Sequence, residues 1–547
     1  MPQTPTGDPS MSIDRRALVA RHAIRRSAIE PGSPIQLGNG ELGLSVDGTG
    51  LQTFPELHPH PGRDPEHPGS LLGTQTQWGW HTTPLDPRPS IGSATRRFAT
   101  ARGSVPYVDL STETFGEGPE SGTEAELWLR ENPHRLMLGW IGLAPSSVGG
   151  SELSADDLQP ISQELDLWTG IAESRFTLLG FAFTVRTAVH PARDVLGISI
   201  ATDSPHAPAL RLRFPYGSGA WGNAASWQDE RHSTTVHDRE GSVVISRSLD
   251  ESDYSVSLGS DQPLRAEQQT VHDVVISTQP LPGGQPWEIS VSFRPGPASR
   301  SDAGPAVTPD QVFEASARWW EQHWTGGGVV DLSGSTDLRA PELERRIVLS
   351  QYLTAINCSG STPPQETGLM INSWRGKFHL EMHWWHAAHF PVWGRPALLQ
   401  RSPDWYHQVL PEAQPRLVSP GAAGGAAHGR GPGRHRGPLA QTGGTGGGGD
   451  AQRHRSVPAL AAAPPDLLRG AAAAQRRDGT GGTVRRARLR DGRVHGDAPE
   501  RRRRRGQPRR PAPAGPGMLR RCEGRAERSD LRTGLLALGS GHRDPLA

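Results

Sequence analysis

The sequence predicts a multidomain α+β protein in which a large β-sandwich is followed by a linker helix and by the first hairpins of an α-helical domain. Three observations predict this order. Segments of alternating apolar and polar residues run from about residue 38 to about residue 295. Helical spacing of apolar and aromatic residues begins near Thr308, and the composition changes abruptly at Ser419.

The predicted strands are short and are separated by Gly, Pro, Asp and Ser. Phe181, Phe183 and Val185 occupy alternate positions, and residues 287–293 repeat the pattern with Trp, Ile, Val and Phe. A period of two is typical of half-buried antiparallel strands. Several such runs between residues 38 and 295 therefore predict a large β-sandwich.

Helical patterns follow the predicted strands. The stretch from Thr308 to Trp324 opens with Thr-Pro-Asp, so a linker helix is expected there. A second helix is predicted within residues 341–358, and two more from about Leu380 to Val392 and from Pro396 to about Glu412. Three tryptophans of the linker helix are expected to serve packing, and they are Trp319, Trp320 and Trp324.

The length and the cysteine content exclude several classes of protein. A chain of 547 residues can hold two or three domains with sizeable cores. Cys358 and Cys522 are the only cysteines, so no disulfide framework is expected. The sequence shows no secretory signal and no apolar run of the roughly 20 residues that a membrane span needs. We therefore expect a cytoplasmic protein without a membrane partner.

The last 129 residues, Ser419 to Ala547, differ in composition from the rest of the chain. They contain 26 Arg, 26 Gly and ten acidic residues, but no Phe, Trp, Tyr, Ile, Asn or Lys. This tail carries a net charge of +16, whereas the preceding residues, with 32 basic and 47 acidic side chains, carry −15. Such a tail cannot bury enough apolar area to offset its conformational entropy, and we predict that it is disordered.

The composition of the tail matches GC-rich DNA translated in the wrong frame. Five of the six missing residue types, all except Trp, have codons rich in A and T. Ala427 to Pro438 can be written in codons whose frame one nucleotide later reads PTVGGPDGTEAP. The same offset gives strings with aromatics and helical spacing at 458–470, 489–499 and 529–537. We therefore predict that the reading frame slips between about Pro415 and Ser419.

Three stretches of the sequence resemble bacterial six-hairpin glycosidases related to glycoside hydrolase family 65. They are GNGELGLSVDGTGLQTF (Gly38 to Phe54), GTQTQWGWH (Gly73 to His81) and QETGLMINSWRGKFHLEMHWWHAAHF (Gln365 to Phe390). This group includes maltose, kojibiose and trehalose phosphorylases and glucosyl-hydroxylysine glucosidase. The resemblance covers about residues 12 to 418 and is most specific in the last stretch.

The resemblance implies an N-terminal β-super-sandwich, a helical linker and an (α/α)6 barrel. This chain holds only the start of such a barrel, so the barrel is expected to be truncated. The predicted division is a flexible N-terminus at 1–20, the β-sandwich at 21–300, the linker at 301–335, the first barrel hairpins at 336–418 and the disordered, out-of-frame tail at 419–547.

The resemblance also implies where the chemistry lies. In the phosphorylases a Gly-His-x-Phe-Trp-Asp-x-Glu motif opens a barrel helix, and its Asp contacts the sugar. GKFHLEMH, Gly376 to His383, is similar to this motif and has Glu381 in place of the Asp. The general acid of the family follows a Gly-Pro-Asp, which the offset frame supplies as GPDGTE, with the acid itself across the codons of Arg436 and Gly437. Glu381 is therefore the catalytic candidate of the written sequence.

Aromatic and polar residues around Glu381 have the composition of a sugar site, because flat indoles suit the apolar faces of a sugar and charged or imidazole groups suit its hydroxyls. The predicted substrate-binding residues are Trp374, Arg375, Lys377, His379, His383, Trp384 and Trp385, together with Trp78 and Trp80 from the sandwich. Adjacent helix positions face different ways, so at least one of Trp384 and Trp385 is expected to pack in the core. His386 and His389 are expected to be polar groups satisfied between helices.

A metal site is the alternative explanation of these histidines. His379 and His383 are four residues apart and His386 follows, which places imidazoles on one helix face as in some zinc sites. In HLEMH, however, the Glu stands two places after the first His, whereas the zinc protease motif has it immediately after. We therefore predict no metal and no cofactor.

These features predict a glycoside hydrolase, inverting and acting on an α-glucoside, that is inactive as written because part of the barrel and the general acid are lost. An oligosaccharide or glycoside is the expected partner. Two alternatives stay open: a glycoside phosphorylase of the same fold, or a non-catalytic carbohydrate- or nucleic-acid-binding protein. Nucleic acid is expected only if the basic tail, densest at Arg501 to Arg505, is genuine.

Overall fold

The computed structural model describes residues 13–60, 69–101, 103–108, 123–220, 222, 225–239, 242–282, 284–298, 307–418 and 440–441. All of these residues fall in one compact unit. The predicted out-of-frame, disordered tail lies outside the described residues apart from 440–441.

Strands dominate the described part of the chain up to residue 295. The strands are β1 Ile24–Arg26, β2 Ile35–Gly38, β3 Leu42–Val46, β4 Thr74–Thr76, β5 Trp80–His81, β6 Thr95–Thr100, β7 Gly103–Val108, β8 His134–Arg135, β9 Trp140–Leu143, β10 Leu158–Asp166, β11 Ile171–Leu178, β12 Phe181–Val189, β13 Val195–Thr202, β14 Ala209–Arg213, β15 Ser233–Arg239, β16 Ser242–Leu249, β17 Ser252–Ser260, β18 Arg265–Gln268, β19 Asp273–Ser277, β20 Trp287–Pro295, β21 Phe378–His379 and β22 Ala440–Gln441.

Two antiparallel sheets form the body of this strand-rich part. The larger has nine strands in the order β1-β10-β11-β12-β13-β20-β17-β16-β15, and the smaller has the order β18-β19-β14-β9. Buried side chains of the larger sheet, such as Val185 and Ile198, share one hydrophobic core with Leu210 and Ile276 of the smaller sheet. The predicted packing of antiparallel strands around a common core is therefore confirmed.

The alternation that predicted β12 and β20 is also confirmed. In β12, Phe183 and Val185 are buried, whereas the intervening Thr184 is half-buried. In β20, Trp287, Ile289 and Val291 are buried. Smaller groups of strands flank the two sheets: β2-β3-β4, β5 with β8, β6 with β7, and the parallel pair β21 with β22.

The helices follow the expected order but include one at the N-terminus. They are α1 Arg15–Ala20, α2 Glu124–Glu131, α3 Pro309–Thr325, α4 Ala340–Cys358, α5 Leu380–Ala387, α6 His389–Val392, α7 Pro396–Leu399 and α8 Pro403–Val418. Helix α1 lies in the stretch 1–20 that was expected to be flexible, and its Leu18 and Val19 are fully buried. None of the described helices is long and apolar enough to cross a membrane.

Helix α3 begins where the sequence predicts it to begin. The Thr308 hydroxyl accepts a hydrogen bond from the Gln311 N–H, and the Gln311 side chain accepts one from the Thr308 N–H, which forms a capping box. Trp324 is fully buried, and its indole N–H donates to the Leu167 carbonyl at 2.6 Å. Trp320 stacks on Tyr352 of α4 at 4.7 Å, and Trp319 packs on the same core. The three tryptophans serve packing, as predicted.

Two helices predicted to be continuous are each divided. The stretch from Leu380 to Val392 separates into α5 and α6, because Pro391 has no N–H to donate to the carbonyl of Ala387. The stretch beginning at Pro396 separates into α7 and α8 in front of Pro403, since a proline disfavours helical backbone at the residue before it. Short helices result, and the turns between them carry buried polar groups.

Candidate functional site

The candidate site begins with a left-handed turn directly in front of β21 and α5. Three consecutive residues have positive φ angles, namely Trp374 at 51°, Arg375 at 60° and Gly376 at 71°. Left-handed backbone suits glycine but is unfavourable for residues with a side chain. At Gly376 an added Cβ would lie 2.2 Å from the Cβ of Arg135, so this position also requires the close approach that glycine allows.

Two basic side chains hold this turn against the sandwich. The Arg375 Nε donates to the Gly219 carbonyl at 2.8 Å. The Lys377 ammonium donates to the carbonyls of Leu129 at 3.4 Å and of Arg130, both in the last turn of α2, and to that of the C-cap residue Asn132 at 3.2 Å. Both side chains are buried. These hydrogen bonds tie both side chains to the backbone of the sandwich part, so we leave Arg375 and Lys377 out of the proposed sugar contacts.

Trp80 of the sandwich packs against the first residue of β21. Its ring meets Phe378 edge-on at 5.5 Å, and the Arg135 guanidinium lies 4.0 Å above the ring. The indole N–H donates to the Gln77 carbonyl at 2.9 Å. Burial lowers the pKa of Arg135 to about 9, since the charged form is desolvated. Trp80 therefore packs against the residues around the turn, and its side chain is only partly exposed to solvent.

The structure brings Trp78 to different partners. Its indole N–H donates to the carboxylate of Asp194 at 2.8 Å, and its ring lies 6.3 Å from that of Tyr254. Burial raises the pKa of the Asp194 carboxyl to about 6, although the Trp78 hydrogen bond favours the charged form. Trp78 thus belongs to the packing of the sandwich, and we leave it out of the proposed sugar contacts.

His383 was expected to bind substrate, but both of its ring nitrogens are engaged by neighbouring protein groups. Nδ1 lies 2.8 Å from the Tyr406 hydroxyl and Nε2 lies 2.9 Å from the Ser402 hydroxyl. The side chain is 1% exposed, and burial lowers the pKa of the imidazole to about 3. His383 therefore links α5 to α8 as a neutral group and has no polar atom left for a hydroxyl of a sugar.

Glu381 and the two following tryptophans are the accessible part of the site. Glu381 is half-buried in the first turn of α5, and its carboxylate accepts no hydrogen bond from any residue that the structure describes. Trp385 lies one turn further along the helix and is 67% exposed, and Trp384 is 44% exposed. The expectation that one of the two tryptophans packs in the core is therefore wrong, because no described element covers that side of α5.

The remaining histidines of the stretch are only partly satisfied. His386 Nε2 lies 3.0 Å from the Glu366 carbonyl, whereas Nδ1 of His379, Nδ1 of His386 and Nε2 of His389 are buried without a partner among the described residues. Burial lowers the pKa of His386 to about 4. No group of three or more His, Cys, Asp or Glu side chains within the described ranges is arranged to hold a metal ion.

A cleft beside the turn was not predicted from the sequence. It lies between the sandwich and residues 370–372, and water can occupy about 20 Å³ of it. Trp140 and Trp227 stack at 4.1 Å in its wall, and Gln75 Oε1 and His60 Nδ1 are buried without a partner among the described residues. Such atoms bind water or a hydroxyl. These residues are far apart in the chain, so no local pattern marks them.

Comparison with solved structures finds distant similarity at low identity. No family model and no curated protein matches this chain. A solved structure described as a kojibiose phosphorylase from the human microbiome is 10% identical and has a TM-score of 0.48. The match covers 72% of this chain and 50% of the phosphorylase chain. A bacterial glucoamylase complexed with acarbose is 10% identical over 52% of this chain and 46% of its own, with a TM-score of 0.34.

A glycosyl hydrolase of family GH92 is similar in the same way. It is 12% identical, covers 75% of this chain and 50% of its own, and has a TM-score of 0.35. The chain thus spans about half the length of these solved structures. All three neighbours are named as enzymes that act on glycosides, but these values do not place the chain in a family.

Proposed function

We propose that this chain is a carbohydrate-active protein of the glycoside hydrolase type and that the open side of α5 binds its sugar. One observation carries the proposal. Glu381 has a carboxylate without a partner among the described residues, and it lies one helical turn from Trp385, which is 67% exposed. A free carboxylate beside an open indole face suits a pyranose, because the indole covers apolar C–H groups and the carboxylate accepts from hydroxyls.

The two kinds of group act on different parts of a sugar. The indole faces of Trp384 and Trp385 can cover the C–H faces of the ring, and an exposed pair of large aromatic residues is unusual on a soluble surface. The Glu381 carboxylate can accept hydrogen bonds from ring hydroxyls. We include the half-buried Trp374, in the turn before α5, in the proposed site as a third indole.

The proposed reaction is the hydrolysis of an α-glucoside with inversion. It needs one carboxylic acid to protonate the leaving oxygen and one carboxylate to activate water, at a separation of roughly 6.5–9.5 Å. Glu381 supplies a carboxylate at the sugar, and the general acid is the glutamate of GPDGTE in the offset frame of residues 431–436. We therefore propose that the reading frame slips near residue 418 and that the 547-residue chain binds sugar without hydrolysing it.

Sugar binding is tested by titrating the 547-residue chain with maltose and recording tryptophan fluorescence. W385A and E381Q are each expected to weaken binding by roughly tenfold, since each removes a direct contact worth about 1–1.5 kcal/mol. F98A is the matched control, because Phe98 is 43% exposed and lies on the sandwich hairpin β6–β7. Equal maltose affinity in W385A, E381Q and F98A would contradict the proposed site.

Hydrolysis is tested separately with an α-glucoside such as maltose or its nitrophenyl analogue. The 547-residue chain is expected to release no glucose above background, whereas a chain with the frame restored near codon 418 should release it. E381Q in the restored chain should lower the rate while leaving the unfolding midpoint unchanged. Full hydrolysis by the written chain would exclude the frame slip as the cause of a loss of activity.

A further inference from the structure

We infer that Lys377 is a positioning residue whose ammonium fixes the left-handed turn Trp374–Gly376, and with it the orientation of Trp374 and the start of α5. The inference rests on the proposed sugar site, because it concerns how that site is held. Lys377 is the only lysine among the 58 Lys and Arg residues of the chain. Every other basic side chain is an arginine, so this position has a lysine where the rest of the sequence uses arginine.

The surroundings of Lys377 explain why an ammonium suits the position. Carbonyls at the end of an α-helix lack partners within the helix and form its negative end. Two of them, from Leu129 and Arg130, and the carbonyl of the C-cap residue Asn132 converge on the single nitrogen of Lys377 at the end of α2. An ammonium has three donors around one atom, whereas the donors of a guanidinium lie in a plane on separate nitrogens. An arginine cannot satisfy the same three carbonyls from one point.

The turn that Lys377 follows is one that needs an external restraint. Trp374 and Arg375 both carry side chains and both adopt positive φ angles, at 51° and 60°. Such backbone persists only where surrounding contacts enforce it, and it is found at sites that position a ligand. Lys377 supplies a contact on the C-terminal side of the turn, and the Arg375 Nε bond to Gly219 supplies one within it. Both contacts tie the turn to the sandwich.

The turn leads directly along the chain into the candidate site. Lys377 is followed by β21, in which Phe378 packs between Trp80 and Trp405, and then by α5 with Glu381. If the ammonium leaves the end of α2, the turn can relax toward ordinary backbone angles. Trp374 then changes direction while the sandwich core, which does not depend on Lys377, keeps its packing.

The first test uses the single lysine of the 547-residue chain. Native protein is treated with an amine-reactive acetylating reagent, and the peptide containing Lys377 is quantified by mass spectrometry. We expect modification at least about tenfold slower in native protein than in urea, because a buried ammonium on three carbonyls must first be released. Modification at the rate of the unfolded chain would overturn the inference.

The second test separates positioning from general stability. The chain is labelled with 5-fluorotryptophan, the Trp374 resonance is assigned with W374F, and the fluorine spectra of K377R and K377M are recorded. We expect the Trp374 resonance to move or broaden in both variants, while the resonances of the sandwich tryptophans stay in place. An unmoved Trp374 resonance, or an equal change in all resonances, would overturn the inference, as would rescue by K377R.

Maltose titration of the same samples distinguishes this inference from the proposed function. We expect affinity to fall by roughly tenfold or more in K377R and K377M, since a displacement of about 1 Å at a site is costly. If no form of the chain binds maltose but the Trp374 resonance still moves selectively, the sugar site is refuted and the positioning role stands. If the variants bind maltose as tightly as the parent chain, the positioning role is refuted and the sugar site stands.

Discussion

Replacing His383 by asparagine should destabilise the protein, because this imidazole is a structural link between α5 and α8. The H383N change breaks the hydrogen bonds to Tyr406 and Ser402, which are 2.8 and 2.9 Å long. Two such bonds contribute about 1–3 kcal/mol together, and a hydroxyl left without a partner adds about 1 kcal/mol or more. We expect the free energy of unfolding at pH 8 to fall by about 2–4 kcal/mol.

The same variant should change the pH dependence of stability. Burial lowers the pKa of His383 to about 3, whereas an exposed histidine has a pKa near 6.5. The unfolded chain therefore takes up a proton first, so the stabilisation is fully present above pH 6.5 and is lost as the pH falls toward 3. A difference of about 3.5 in pKa corresponds to roughly 5 kcal/mol over that window. H383N should lack this part of the acid-induced loss.

The assay is urea unfolding followed by tryptophan fluorescence at pH 8, 6, 5 and 4. His237, which is exposed on β15, provides the matched control as H237N. We expect H237N to change the free energy of unfolding by less than about 0.5 kcal/mol at every pH. If H383N unfolds at the same urea concentration as the parent and with the same pH profile, His383 is not a buried link and becomes available as a sugar ligand.

Two further predictions concern buried carboxylates. Glu344 of α4 accepts hydrogen bonds from Arg21 at 2.7 Å and from the Leu332 N–H at 2.5 Å, and its carboxylate lies 2.6 Å from the His22 ring. E344Q should therefore lower the free energy of unfolding by about 2 kcal/mol. Urea unfolding measures this change, and a value under about 0.5 kcal/mol would contradict the prediction. Burial raises the pKa of Asp47 to about 6 from 3.8. Its stabilisation is therefore complete below about pH 4 and is lost as the pH rises through 6, by up to about 3 kcal/mol. The difference in unfolding free energy between D47N and the parent should therefore change between about pH 4 and pH 6. If the two proteins show parallel curves of unfolding free energy against pH, the raised pKa of Asp47 is excluded.

The elements that the sequence predicts well are those determined by local pattern. Helix α3 could be predicted because its capping residues, Thr308 and Gln311, and its apolar spacing are contained within the helix itself. The strands β12 and β20 could be predicted because their alternate large apolar residues are buried in the core that the two main sheets share. In each case the apolar residues that form the sequence pattern are also the residues that are buried in the structure.

The features that could not be predicted depend on contacts between distant parts of the chain. Lys377 donates hydrogen bonds to carbonyls some 245 to 248 positions earlier in the chain. Its sequence neighbours therefore suggest a sugar ligand, whereas its contacts in the structure connect the turn to the end of α2. His383 is similar, since Tyr406 and Ser402 follow it only after two further helices. Trp384 and Trp385 are exposed because α5 is short and uncovered in the described part, which helical periodicity alone does not reveal.

The measurement that tests the central proposal most directly is resequencing of the gene from codon 405 to codon 440. Our account predicts one extra or missing nucleotide near codons 415 to 419, which would restore GPDGTE and the helical strings that follow it. An intact frame through these codons would contradict the account, because the arginine-rich tail would then be genuine and the general acid of the proposed reaction would not exist in this protein.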